Sequence, residues 1–427
     1  MERPIAIDLF AGAGGLSLGL EQAGFNVAAA IEIDPIHAAV HKFNFPQCAV
    51  IPQSVIGLSA SEIRALSGIG NRKVNVIAGG APCQGFSLIG QRALDDPRNS
   101  LIREFVRIVR DLDASYFVFE NVKGLTVGKH RHFLEEVIAS FNSEGYLLRA
   151  PWQVLNARNH GVPQDRERLF LLGAKKDLPL PLYPDKLPLN PTCGDALNDL
   201  PDLEDYTELN LREWIECNKF GEPSAYAREL RCIANDAWHF GIPRIWNPGL
   251  LTSSRRTFHT EISRKRFAQT PGGENEPISR FYRLARDGVS NTLRAGTDAA
   301  RGAFTSPRPI HYEKPRCVSV REMARLHGYP DWFRFHGTKW HGARQVGNSV
   351  PPPLARAVAA EVLKAIGYIP VRQTKAIELG DPALLTLDMN GASSYWGVEP
   401  PIGRRDRKSG AKKRKQEEIE FPAAEAA

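Results

Sequence analysis

The sequence predicts an α/β protein whose sheet domain is interrupted by a second, smaller and irregular domain. Over roughly the first 170 residues, short β-branched or aromatic runs alternate with longer amphipathic stretches, the pattern of a parallel sheet with crossover helices. After Gly173 the pattern stops, and prolines at 179, 181, 184, 188, 191 and 201 punctuate a stretch with no sustained period. Regularity returns at Pro352–Ile366, where Leu354, Val358, Val362 and Leu363 form a helical stripe able to rejoin the sheet.

Taken in order, Ile5–Phe10, Val27–Ile33, Val74–Ala78, Tyr116–Phe119 and Leu169–Gly173 read as strands. Between them, Leu101, Phe105, Val106, Ile108, Val109 and Leu112 fall on one helical face, opposite Arg103, Arg107 and Arg110. The expected division is a first domain over 1–176, a second over 177–337, a return to the first over 338–370, and an extension over 371–427. From Gly403 onward a Lys/Arg cluster followed by Glu and Ala reads as a solvated, disordered tail.

Composition narrows the class. With 427 residues, 42% hydrophobic and 24% charged, the chain matches an ordinary globular protein, which excludes disordered, collagen-like and mucin-like readings. No apolar run approaches the roughly 18 residues needed to cross a bilayer, and Met1-Glu2-Arg3 leads straight into a strand without room for a signal peptide. A cytoplasmic protein without a membrane span is expected. Cysteines at 48, 83, 193, 217, 232 and 317 include no C-x-x-C pair, so no metal cage is expected and the thiols read as reduced. The net charge of +7 is unevenly spread: residues 404–416 carry +7, 177–222 carry −8, and 228–325 carry +9. A basic lobe therefore remains when the tail is set aside, which suits a nucleic-acid partner.

Four segments can do chemistry. Phe10-Ala11-Gly12-Ala13-Gly14-Gly15 follows a strand and precedes a helix, where a nucleotide-binding turn sits in a doubly wound fold. Ser17 stands where the dinucleotide fingerprint has its third glycine and there is no P-loop lysine, so neither NAD nor ATP is favoured. Glu32, twenty residues after Gly12, is placed to accept from ribose hydroxyls, which fits a nucleoside without pyrophosphate. The turn alone would equally serve helix packing.

Gly79-Gly80-Ala81-Pro82-Cys83-Gln84-Gly85-Phe86-Ser87 puts Cys83 on a loop at the carboxyl edge of the sheet, where a thiol that loses its proton becomes a nucleophile. Most cytosolic cysteines are instead small buried hydrophobes. Glu120 ends the next strand at the same edge, and burial there would raise its pKa and suit it to proton donation; capping a turn or pairing with an arginine is the alternative. In Gln164-Asp165-Arg166-Glu167-Arg168, extended backbone puts Gln164, Arg166 and Arg168 on one face, for an anionic or carbonyl ligand or for surface pairing with Asp165 and Glu167.

In this order the segments resemble the cytosine-5 DNA methyltransferase family. The resemblance is carried by Asp8 to Gly15, Glu32-Ile33-Asp34, Gly80 to Ser87, Glu120-Asn121-Val122, Gln164-x-Arg166-x-Arg168 and Gln345-Val346-Gly347-Asn348-Ser349-Val350-Pro351-Pro352, with Arg321 to Asp331 similar to a further motif. It implies a Rossmann-like S-adenosylmethionine-dependent methyltransferase sheet with a target-recognition domain in the irregular region.

It also implies Cys83 as the nucleophile on carbon 6 of a flipped-out cytosine, and Glu120 as the acid at ring nitrogen 3. Arg166 and Arg168 would stand near the cytosine carbonyl oxygen or Glu120. The cofactor would lie along Phe10, Gly12, Gly14, Gly15, Glu32, Ile33, Pro82, Leu101, Asn348 and Val350. Ser87 and Gln91 belong to a loop over 87–98 that would close on double-stranded DNA, and the Arg-rich segment over 228–301, with Arg255, Arg256, Arg264, Arg266 and Arg294, would choose the site. Two departures stand out: Gln53-Ser54-Val55 lacks the usual acidic contact to adenine, and Ile33 replaces a common aromatic residue.

The resemblance further implies a monomer, with a cognate restriction endonuclease as a partner in function and not in complex. An RNA cytosine-5 methyltransferase with the same core is the alternative, and a DNA-binding protein without catalysis a third reading. The long region over 175–315 favours duplex DNA, and retention of Cys83, Glu120, Arg166 and Arg168 disfavours loss of catalysis.

Overall fold

The computed structural model describes residues 2–82, 100–128, 130–188, 190–217, 219–297 and 305–400. Cys83, Ser87, Gln91, the 87–98 loop and the tail from Gly403 lie outside these residues.

The chain begins with alternating elements: β1 (Ile5–Leu9), α1 (Gly15–Ala23), β2 (Asn26–Ile31), α2 (Pro35–Asn44), β3 (Ala49–Ile51), α3 (Ala60–Ser67), β4 (Val76–Gly79), α4 (Ser100–Asp111) and β5 (Tyr116–Val122). These are followed by α5 (His130–Ser143), β6 (Tyr146–Leu148), β7 (Gln153–Asn156) and β8 (Glu167–Lys175). All eight strands form one sheet in the order β3-β2-β1-β4-β5-β8-β6, with β7 also paired to β8.

The first five strands are mutually parallel, and the strand expected over 169–173 is not: β8 runs antiparallel to β5, β6 and β7. It is reached from β7 by a short connection, and only a long crossover would return it parallel. β1 stops at Leu9, one residue earlier than expected, because Phe10 adopts a left-handed φ of 61° that takes it out of the ladder.

Alternate residues of each strand supply two cores, as a period of two requires. Ile7, Leu9, Ile77, Phe117, Phe119, Leu169 and Leu171 face α3, α4 and α5, which contribute Ile63, Phe105, Phe133 and Phe141. Phe117 stacks on Phe141 at 3.8 Å, and Gly173 opposite leaves the room that ring needs. On helix α4 the expected Phe105, Val106, Ile108 and Val109 are buried, each worth about 1.5–3 kcal/mol, but Ile102 joins them in place of Leu101, which is only half-buried.

Ala6, Val76, Ala78, Val118, Phe170 and Leu172 face the other way, toward α1 and toward late parts of the chain. Those parts include α6 (Cys193–Leu197), α7 (Ala225–Leu230), α9 (Val320–Leu326), α10 (Lys339–Asn348) and α11 (Pro352–Ile366), whereas α8 (Glu261–Gln269) and α12 (Met389–Trp396) lie elsewhere, the latter against α2. α11 is the expected returning helix and lies on α1, where a side chain on Gly19 would strike the Ala355 side chain at 2.3 Å. Met323, Leu326, Tyr329, Trp332, Phe333 and Phe335 share this core.

The irregular region has smaller clusters of its own, around Leu203, Leu209, Ile215, Cys217 and Leu251, and around Phe267, Ile310 and Cys317. Buried ion pairs tie it inward. Arg325 bridges Asp199 at 3.0 Å and Asp331 at 2.6 Å, and Arg244 holds Glu21 of α1 at 2.9 Å. Beyond α11, Leu384 and Leu385 pack on Ala39, Val40 and Phe43 of α2.

A carboxyl group lies inside the sheet on β1. Asp8 is fully buried on β1, accepts from the Ser17 hydroxyl at 2.6 Å, and has its other oxygen without a partner among the described residues. Burial pushes its carboxyl up to about 7, against the opposing bonds from Ser17. An unfolded aspartate titrates near ~3.9, so between that value and about 7 the folded state holds a proton that the unfolded state has released, and stability is lost as pH rises through this window. The wild-type Tm should therefore fall relative to that of Asp8→Asn between pH ~4 and ~8. Calorimetry checks this; parallel Tm profiles would refute it.

Candidate active site

β1, β2, β4 and β5 all end at one edge of the sheet, and the segments singled out from the sequence follow those ends. After β1 the backbone turns through Phe10, Gly12 (φ 55°) and Gly14 (φ 106°), positive angles that glycine adopts without strain. A side chain on Gly12 would meet nothing within 4 Å, so the turn borders open space. One on Gly15 would strike the Tyr329 hydroxyl and the Val350 carbonyl, both at 2.5 Å, so the turn and the segment before α11 lie against each other.

Glu32 closes the other side. One carboxylate oxygen accepts the Gly12 amide at 2.8 Å and the other the Asp34 amide at 2.9 Å. Burial raises its pKa, with His37 opposing. Ile33 is 53% exposed beside it, Asn348 is exposed at the end of α10, Pro82 is exposed after β4, and Leu101 and Phe10 are half-buried at the rim. Direct contacts thus join the glycine turn to Glu32 on one side and to Tyr329 and Val350 on the other.

Glu120 lies at the end of β5, buried but for 8% of its surface. The Arg168 guanidinium of β8 holds one of its carboxylate oxygens at 3.0 Å, and the antiparallel register that pairs Val122 with Arg168 sets this contact. Burial raises the Glu120 carboxyl above its ordinary value, while Arg168 and then Arg166 pull it down. The side-chain amide of Asn121 donates to the Ala81 carbonyl at 3.2 Å, tying the end of β5 to the backbone that leads into Cys83.

Gly80 completes the arrangement, because an added side chain would lie 2.5 Å from the second oxygen of Glu120. Gly80→Ala should displace that carboxylate and slow single-turnover methylation about 10²-fold, the typical effect of roughly 1 Å of misplacement, with the fold retained by circular dichroism. A wild-type rate would remove the steric argument.

Arg166 stands near enough to Glu120 to help pull its carboxyl down, the second of the two places expected for it. It shares the face of Arg168 but is fully buried, and it donates to the carbonyls of Leu293 (3.0 Å), Gly347 (2.9 Å) and Ser349 (3.0 Å). Its two terminal nitrogens are thus committed to three backbone carbonyls. Gln164 is also buried, on Leu293 and His327. The sequence reading assigned no role to Gly80, Leu293 or His327. Gly80 carried a signal, as the last glycine before a nucleophile-bearing loop, and His327 lay within the Arg321 to Asp331 motif; Leu293 carried none.

Beside Arg168 an open cleft of about 320 Å³ is lined by Val122, Lys123, Gly124, Asp165, Glu167 and Thr292. Of the expected DNA-facing arginines, Arg294 is exposed two residues from this cleft. Arg255 and Arg256 are half-buried and line a smaller pocket with Glu204 and Arg316. Arg264 is paired with Glu204, and Arg266 lies 3.6 Å from Glu276, so part of the basic lobe is neutralised internally. Arg283 is structural, donating to the carbonyls of Phe267, Ala268, Thr270 and Tyr312. Among the described residues no His/Cys/Asp/Glu group could hold a metal ion, and no helix is long and apolar enough to cross a membrane.

The mixed sheet, the glycine turn facing a strand-end glutamate and the Glu120–Arg168 pair define a Rossmann-like methyltransferase. The chain belongs to the C-5 cytosine-specific DNA methylase family, whose model matches residues 5–364, and it is a DNA (cytosine-5-)-methyltransferase. Among curated relatives it is 56% identical over 408 residues to the Type II methyltransferase M.XorII of Xanthomonas oryzae pv. oryzae, covering 95% of this chain and 96% of the relative. It is 34% identical to the Type II methyltransferase M1.HphI of Haemophilus parahaemolyticus, covering 84% and 86% of the two chains. A crystal structure from E. coli, described as a DNA modification methyltransferase encoded within a prophage, superposes with a TM-score of 0.71 at 32% identity over 86% of this chain and 100% of that one.

Proposed function

We propose that the protein methylates carbon 5 of a flipped-out cytosine within a specific double-stranded DNA sequence through a covalent Cys83 adduct, with S-adenosylmethionine as methyl donor. The observation that carries this reading is the buried Glu120 carboxyl, raised by its surroundings and held by Arg168 beside the backbone that leads to Cys83.

The residues at the rim fit a nucleoside with a charged tail. Gly12 leaves space, the Glu32 oxygens retain lone pairs for ribose hydroxyls beyond their two amide bonds, and the exposed Ile33 offers an apolar face to a base. Phe10, Gly14, Gly15, Pro82, Leu101, Asn348 and Val350 would complete the enclosure. Gln53-Ser54-Val55 supplies no carboxylate for an adenine amino group, so Ile33 and backbone groups bear that part of binding. S-adenosylmethionine, when bound, supplies an electrophilic methyl group.

Every other step belongs to the chain. The Cys83 thiolate forms a bond to carbon 6, and the electrons displaced toward nitrogen 3 are met by the proton of Glu120, leaving carbon 5 nucleophilic. After methylation, water takes the proton on carbon 5, its electrons re-form the 5,6 double bond and expel the Cys83 sulfur as thiolate, and the proton on nitrogen 3 returns to Glu120. Arg168 holds Glu120 in place and would stand near the cytosine carbonyl oxygen. A stacked base cannot be reached by a sulfur approaching perpendicular to its ring, which is why the base must leave the helix.

The region over 177–337 is the target-recognition lobe in this reading, with Arg294, Arg255 and Arg256 as DNA-facing cations, and with Arg264 and Arg266 facing DNA once released from their acidic partners. Ser87 and Gln91 belong to the loop that closes on the base. The Type II relatives support a restriction-modification setting, with a monomer acting in the cytoplasm beside a cognate endonuclease that it does not bind. Bisulfite sequencing of plasmid DNA from cells expressing the protein should reveal one fully protected cytosine context; unprotected DNA from cells with soluble protein would overturn the proposal.

A further inference from the structure

We propose that Arg166 is a positioning residue for the cofactor side of the site, fixing the Gly347–Val350 segment, and that it does not act on the cytosine. This rests on the cofactor reading above.

Burying a guanidinium costs several kcal/mol unless its donors are satisfied; among the described residues no carboxylate is hydrogen-bonded to Arg166 and its Nε has no partner, so the two terminal nitrogens carry its satisfaction. Its partners are instead carbonyls from two segments far apart in sequence. Gly347 and Ser349 flank the end of α10, where the last carbonyls of a helix lack intrahelical donors and where its dipole favours a cation. Asn348 lies between these two anchored carbonyls, and Val350 follows them.

The third partner, the Leu293 carbonyl, belongs to the segment that carries Arg294. That segment lies directly on α10: a side chain on Gly347 would meet the Ala295 amide nitrogen at 2.4 Å.

Neighbouring groups reinforce the same two segments. Gln164, two residues before Arg166, accepts the Leu293 amide at 3.1 Å, and its side-chain nitrogen lies 2.8 Å from Nδ1 of His327. The other ring nitrogen of His327 lies 3.1 Å from the Ser349 carbonyl. A neutral imidazole that accepts at Nδ1 and donates at Nε2 satisfies both contacts, and burial keeps His327 neutral. Arg166 and Gln164 therefore join β8, which carries Arg168, to the segment bearing Asn348 and Val350.

The test measures cofactor affinity without DNA, where a residue acting only on cytosine has no effect. Calorimetric titration with S-adenosylhomocysteine should give Arg166→Lys a Kd raised about tenfold or more, the effect of losing one hydrogen bond from a charged donor. Arg168→Lys should keep the wild-type Kd. With DNA present, Arg166→Lys should raise KM for S-adenosylmethionine, while saturating cofactor restores kcat to within about threefold of wild type.

Gln164→Met, which removes a weaker brace and spares the guanidinium, should raise Kd in the same direction by less, and it decides the matter if Arg166→Lys does not fold. An unchanged Kd in the folded variants, or a kcat loss that saturating cofactor does not restore, would overturn the proposal. Wild-type protein that fails to bind S-adenosylhomocysteine would overturn the cofactor reading itself.

Discussion

Cys83→Ser is expected to abolish methyl transfer while leaving the affinities for duplex DNA and S-adenosylhomocysteine near wild type. A hydroxyl at neutral pH is a far weaker nucleophile than a thiol of which a few per cent is ionised, and no other described group at the edge of the sheet can take its place. The position suits the role. The Ala81 carbonyl two residues before Cys83 is held by Asn121, so the backbone entering the loop has a fixed starting point. DNA carrying 5-fluorocytosine at the target should trap the wild-type enzyme covalently, because fluorine cannot leave carbon 5 as a proton does, and mass spectrometry of the adduct should place the modification on Cys83. An active enzyme that forms no adduct would end the covalent mechanism.

Glu120→Gln is expected to slow single-turnover methylation by about 10²- to 10⁴-fold, the usual contribution of a positioned acid. The amide preserves size and keeps an oxygen for Arg168, yet it has no acidic proton to give to nitrogen 3. The pH dependence separates this from a packing effect. Because burial places the Glu120 carboxyl above its ordinary range, the acid form persists to higher pH than for a free glutamate, and the wild-type rate should decline as pH rises through that pKa. The variant should lack this limb. Equal rates for the two proteins would leave Glu120 as the partner of Arg168 and nothing more.

The sheet was legible because its central strands are buried on both faces and read as near-continuous apolar runs, β1 being buried from end to end. β6 and β7 were not, since three or four residues at the margin of a sheet carry no period to detect. Glu120 and Arg168 could be placed because each terminates or begins a recognisable strand at the same edge. Arg166 could be assigned to the correct face but not to the correct depth: alternation gives the side of an extended segment, whereas what lies over that side comes from residues 293 and 347–349. The basic lobe misleads for a related reason. A run of arginines announces positive charge, but the partner of Arg264 is Glu204, sixty positions earlier, and such pairing leaves no local mark.

In the proposed reading, the packing of α11 on α1 would set the moment in synthesis at which the enzyme becomes competent. The glycine turn emerges from the ribosome within the first residues made, but the Val350 carbonyl that lies over Gly15, and the helix that covers α1, are among the later ones. At roughly 5–20 residues per second, the interval between residues 176 and 366 lasts on the order of 10 to 40 s. Throughout it the sheet can be assembled while the cofactor opening lacks one wall. Arrested nascent chains that stop before α11 should not retain radiolabelled S-adenosylmethionine, and chains that expose α11 beyond the ribosome should; equal retention would show that the wall is dispensable. A growing chain would thus be unable to modify the DNA beside which it is made until its recognition lobe is already complete.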